Sequence, residues 1–153
     1  MAKELEGQWL KPNPALKGLE VLIGEWNMEG NHPLFPSPVR GHASFEWVEE
    51  GAFIVWHSEF EHPGLPNGIA IIGRDDPADN CCMLYFDGRG VSRVYLMSLE
   101  GRIWKYWRSS PGFSQRMTGM ISDDLNTIAV HGEKSSDGIN WEQDLDLTFT
   151  KVR

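Results

Sequence analysis

Arg93 and Tyr95 stand two residues apart in the run Ser92-Arg93-Val94-Tyr95-Leu96-Met97. On a β-strand that spacing sends both side chains to one face. A guanidinium beside a phenol offers hydrogen-bond donors suited to a carboxylate. The same alternation leaves their direction open. Val94 and Leu96 share the other face, and if that apolar face turns inward, Arg93 is left in solvent. Arg108 and Arg116 flank the turn from Ser109 to Gly112. Two arginines at a cavity rim would hold an anion by bidentate bonds, and two solvated arginines are the plainer alternative. His57 lies in a largely apolar run with Glu59 on its own face. An imidazole there can hydrogen-bond a ligand or take up a proton near neutrality, or simply satisfy a backbone carbonyl.

Other chemistry finds little support. The five histidines, His32, His42, His57, His62 and His131, show no metal-pair spacing. Cys81 and Cys82 are neighbours, so on a strand they face opposite ways and a bridge between them would be strained. Free thiols are expected. No Gly-x-Ser-x-Gly elbow or Gly-rich phosphate loop is present, and neither cysteine has a basic sequence context. The acidic pairs Glu49-Glu50, Asp75-Asp76 and Asp123-Asp124 fall at turns and suit solvated turn chemistry. No metal or cofactor is expected from these residues, and catalysis is the weaker expectation.

The elements that must position such groups are almost all strands. One helix is expected, with Asn13 as cap, Pro14 at its first position, Leu16, Leu19 and Ile23 along one side, and Gly24 as its stop. Beyond Gly24, turn signals recur at strand intervals: Glu50-Gly51, Asn67-Gly68, Asp87-Gly88, Glu100-Gly101 and Asp137-Gly138. Breaks rich in Pro, Asp or Ser lie at Pro33–Pro38, Asp75–Asn80, Ser109–Gly112 and Asp123–Asn126. They delimit about ten short segments. Val39, Gly41, Ala43, Phe45 and Trp47 alternate with Arg40, His42, Ser44 and Glu46, while Trp141, Leu145, Leu147 and Phe149 alternate with Glu142, Asp144, Asp146 and Thr148. Period two with one apolar face marks a sheet that is wet on one side. Hairpin-linked strands without a long crossover leave a barrel or a sandwich, and closure removes the exposed edges. The expectation is an all-β, closed antiparallel up-and-down barrel of about ten strands, its N-terminal helix closing one end.

Composition agrees with a single domain over residues 1–153. Seven Trp, seven Phe and three Tyr supply rings enough to line a cavity as well as fill a core. A net charge of -8 repels phosphate backbones and anionic lipid, which argues against nucleic acid and membrane partners. The N-terminus lacks a signal-like apolar run and no segment reads as a membrane span, so a cytoplasmic location is expected.

Gly24-Glu25-Trp26, placed after a short helix and before a series of strands, resembles the Gly-x-Trp signature of lipocalins. The resemblance implies a helix closing the barrel floor and a tryptophan packed across it. The longer run from Gly24 to Gly30 is similar to the opening of nitrobindins, haem-binding relatives of fatty-acid-binding barrels. That likeness implies a late histidine on iron, for which His131 is the candidate, although Trp141–Val152 holds no histidine. Segments 92–95, 111–116 and 137–141 resemble bacterial proteins of the DUF1579-like kind, a calycin-like family without an agreed biochemical function. An Arg-x-Tyr pair similar to Arg93 and Tyr95 holds a carboxylate in fatty-acid-binding proteins, but on the last strand.

A barrel of this size has room for one ligand. The expected occupant is a small hydrophobic or amphipathic molecule, lined by Trp47, Tyr85, Tyr95, Trp107 and Met117 and met by His57, Arg93 and Arg116. Alternatives are a cavity-based isomerase or cyclase, a haem protein, and a filled barrel acting through its surface or as a homodimer.

Overall fold

The computed structural model describes residues 14–74 and 80–153; Asn13 and residues 75–79 of the acidic turn lie outside the described residues. The strands are β1 (Gly24–Asn31), β2 (Val39–Val48), β3 (Phe53–Phe60), β4 (Gly68–Arg74), β5 (Cys81–Asp87), β6 (Ser92–Glu100), β7 (Ile103–Arg108), β8 (Ser114–Ile121), β9 (Thr127–Ser135), β10 (Glu142–Gln143) and β11 (Asp146–Lys151). Neighbours from β1 to β9 pair antiparallel in chain order, β9 pairs with β11, and β11 returns to β1. Ten strands therefore close an antiparallel barrel, with β10 as a short addition against β9. This is the architecture expected from the hairpin spacing.

Alternation sorts each strand into an inner and an outer row. Trp26, Phe45, Ile54, Ile72, Met97, Trp104, Ile128 and Phe149 point inward and are buried. They gather toward one end, the floor, where β1 begins and β2 ends. The rings interlock there: Phe45 stacks on Trp56 at 4.8 Å, and Trp104 meets Phe45 and Phe149 edge-on at 5.9 and 6.0 Å. The opposite end, the mouth, is bounded by loops 32–38, 61–67, 88–91 and 109–113 and by the segment 136–145 that contains β10. Cys81 is buried and Cys82 is partly exposed, in keeping with their opposite directions.

The floor is covered by a 3₁₀ helix, Pro14–Leu22. Its buried residues are Leu16, Leu19 and Leu22, three apart throughout. Three residues per turn places such a set along one line, so Leu22 rather than Ile23 completes the row. Trp26 sits under this helix and donates from Nε1 to the Leu22 carbonyl at 2.8 Å. Gly24, at φ +131°, turns the chain between helix and strand, and a Cβ there would strike the Arg153 carbonyl. Both features give the Gly-x-Trp run a physical role in this chain.

Two departures from simple alternation matter for the site. Gln143 faces Glu133 and Leu147 faces Val130. Three residues, 144–146, thus oppose two, 131 and 132, which is a β-bulge. The bulge shifts the phase of everything before it, so Trp141 lies outside, against Arg116, rather than on the inner row its spacing suggested. The second departure is β6, whose apolar row faces out: Val94 is 61% and Leu96 43% exposed. Leu84 and Phe86 on β5 continue that outer apolar surface. No helix among the described residues is long and apolar enough to cross a membrane.

Candidate functional site

Above the floor rings the barrel holds a cavity of about 410 Å³ that opens among the mouth loops. Its lower wall is apolar and aromatic, with Trp56, Met83, Tyr106, Met117 and Leu147. Tyr85, Tyr95 and Tyr106 form an edge-to-face chain of rings, each 6.1 Å from the next. Burial pushes all three phenols above their ordinary range. They are neutral at physiological pH and act there as hydrogen-bond groups. Trp56 brings an indole N–H that finds no acceptor among the described residues.

Polar groups collect at the rim because the inner rows of several strands end in them. On β6 the inner row is Arg93 and Tyr95, since Val94 and Leu96 take the outside. Tyr95 donates its hydroxyl to Gln115 Oε1, and the amide of Gln115 donates to Asp144 Oδ2 at 2.9 Å. Asp144 reaches this position through the bulge. It and Leu145 both line the cavity, which consecutive residues of a regular strand could not do. His32 Nε2 lies 3.4 Å from the same carboxylate, while His32 Nδ1 accepts the Leu34 backbone N–H at 3.1 Å. Its Nδ1 is thus occupied as an acceptor, and its Nε2 faces the carboxylate.

A second rim cluster centres on Asp87, whose side chain is fully buried. It accepts from the Tyr85 hydroxyl at 2.8 Å and from Arg89 Nη2 at 2.8 Å. The Arg89 bonds come first among the causes that lower its carboxyl to about 2. A third cluster surrounds Phe113. The Arg93 guanidinium lies 4.4 Å from the ring centroid and that of Arg108 5.8 Å, and Arg108 Nε donates to the Phe113 carbonyl at 3.2 Å.

The residues expected to line a ligand site therefore divide. Tyr85, Arg93, Tyr95 and Met117 meet at the cavity wall. Trp47 is on an inner row but at the floor end, packed on the core below the cavity. His57 is outside and exposed, because Ile54, Trp56 and Ser58 take the inner row of β3. Trp107 and Arg116 are cross-strand partners on the outer wall. Arg116 binds Glu133 at 2.9 Å and lies 3.9 Å over the Trp141 ring. Arg108 and Arg116 thus part company at their hairpin, one to the rim and one to the outer surface. Trp56, Tyr106, Gln115, Phe113 and Asp144 belong to the site without having been singled out. Inner-row parity could have found Gln115, which pairs with Arg108; only the bulge finds Asp144.

The histidine that the nitrobindin likeness singles out is turned away from the cavity. His131 is exposed on the outer wall, 2.7 Å from Asp146. Among the described residues no group of three or more His, Cys, Asp or Glu could hold a metal ion.

No family model and no curated protein matches the chain. Solved structures do. Among them is the crystal structure of Rv2717c from M. tuberculosis, with a TM-score of 0.62 and 14% sequence identity, covering 94% of this chain and 100% of that one. At this identity the likeness establishes the barrel fold.

Proposed function

We propose that the protein binds a small amphipathic molecule inside the barrel, its apolar part among Trp56, Met83, Tyr106 and Met117 and its polar part at the rim. The supporting observation is the graded cavity of about 410 Å³, apolar below and polar above toward the mouth. Depth of that kind orders a molecule end to end, and the volume suits a single compact ligand. Binding rather than catalysis is favoured by His32, the histidine that lines the cavity. An imidazole with a donated bond at one nitrogen and a carboxylate at the other has no site for a substrate proton.

Phenylnaphthylamine, a neutral fluorophore that brightens in apolar surroundings, provides the test. Saturable enhancement at one site per chain is expected, with energy transfer from tryptophan. The substitution Met117→Trp, which fills part of the cavity, should abolish the signal while thermal melting stays cooperative. Enhancement that fails to saturate, or that survives Met117→Trp, would refute the reading.

A further inference from the structure

We infer that the polar end of the ligand is an oxyanion, of the carboxylate or sulfonate class, held between Arg93 and Arg108 beside Phe113. This rests on the cavity reading above and adds the charge of the occupant.

The first observation is where positive charge stands unbalanced. The chain carries a net charge of -8, yet Arg93 and Arg108 form no ion pair among the described residues. Three other charged groups at the rim are held by partners. Arg89 is taken by Asp87. Asp144 is taken by Gln115 and His32. Asp137 is held by the backbone of its own turn at Ile139 and Asn140. Lys134 also lines the cavity and, like the two arginines, forms no ion pair among the described residues. Two guanidiniums without a carboxylate, in a wall of low dielectric, focus a positive potential on the opening.

The second observation is geometric. A guanidinium laid against an aromatic face keeps its N–H groups at its edge, where they remain able to donate. Phe113 holds both arginines in this way. Arg108 spends one donor on the Phe113 carbonyl. Tyr95 gives its own proton to Gln115. The phenol has no proton left for an anion, so the partner of Arg93 is Arg108 across the seam and not Tyr95 two residues on.

The third observation is the seam itself. The β6–β7 ladder ends at Leu96–Trp107, whereas β6 pairs with β5 as far as Ser92. The first turn of inner-row residues on β6 is therefore free on its β7 side. An outer-surface pocket lies beside it, lined by Leu84, Phe86, Arg93, Val94, Arg108 and Ser110 among others, and Arg93 borders both it and the central cavity. An anion at this junction would be reached by both arginines while the rest of the molecule lay inside.

Anilinonaphthalene sulfonate and phenylnaphthylamine share their rings and differ in the sulfonate, so comparing them isolates the anion. The sulfonate is expected to bind about tenfold more tightly at low salt, the scale of one charge-assisted contact. Added sodium chloride should erode that advantage. In the variant carrying both Arg93→Gln and Arg108→Gln the two probes should bind alike. Equal affinities for the two probes in the unaltered protein, or an advantage that survives both substitutions, would overturn the inference while leaving the cavity reading intact. Failure of both probes would overturn the cavity reading instead. Should the double variant not fold, the salt titration of the unaltered protein decides, because a salt-independent preference is incompatible with the two arginines.

Discussion

Asp87 joins stability to pH at a single residue. Its carboxylate is buried between the Tyr85 hydroxyl and the Arg89 guanidinium and titrates at about 2 instead of its ordinary 3.8. A carboxyl depressed by folding stabilises the native state above its unfolded pKa, and that contribution disappears as pH falls through the folded value. The window is therefore from just under pH 4 down to about 2. Asp87→Asn is expected to cost roughly 2 kcal/mol at neutral pH and almost nothing at the acid end. Urea melts of the two proteins at several pH values test this. A difference that persists unchanged into acid would mean that Asn cannot pack where Asp does, and that ionisation is not the cause.

At the scale of elements, two tryptophans of equal burial should behave differently. Trp26 and Trp104 are both fully buried, but Trp26 bonds the Leu22 carbonyl and so ties the floor helix to β1. The Trp104 indole N–H has no acceptor among the described residues. Trp26→Phe removes ring volume and strands a carbonyl, whereas Trp104→Phe removes ring volume and an unpaired donor. The first should be more destabilising by about 1–2 kcal/mol, as chemical denaturation would measure. Equal losses would sink this account. The same scale decides what could be seen in the sequence. Hairpin breaks and the Gly24–Trp26 run were legible because turn geometry and a buried ring impose particular residue types locally. Arg93 and Tyr95 were ambiguous, because β6 turns Val94 and Leu96 to the outside against the usual pattern. Asp144 was hidden by a bulge, since one inserted residue reverses the faces of Trp141 and Asp144 without leaving a signal in their types. His57 was misplaced for a related reason: both faces of β3 carry apolar groups, and period two cannot rank them.

Across the whole molecule, order is divided between a packed floor and a hollow mouth, and this division predicts how the barrel opens. The floor half concentrates the buried rings and the leucines of the helix. The mouth half surrounds the cavity, and residues 92–95 lack β7 partners. Local opening takes least free energy where few apolar contacts must be broken. Amides of β1, β7 and β11 near Trp26, Trp104 and Phe149 should exchange with deuterium only on global unfolding, while those of residues 92–95 and 109–113 exchange through smaller openings. A ligand that binds only the native state stabilises it by mass action, about 2.7 kcal/mol at a hundredfold excess over Kd. Saturating phenylnaphthylamine should therefore raise Tm by about 5–10 °C. It should also slow exchange at the mouth, and slow the floor only by as much as global stability has risen. If exchange were uniform around the barrel, or if the probe slowed the floor and not the mouth, the cavity would not be the place where this molecule is soft, and the occupant would have to sit elsewhere.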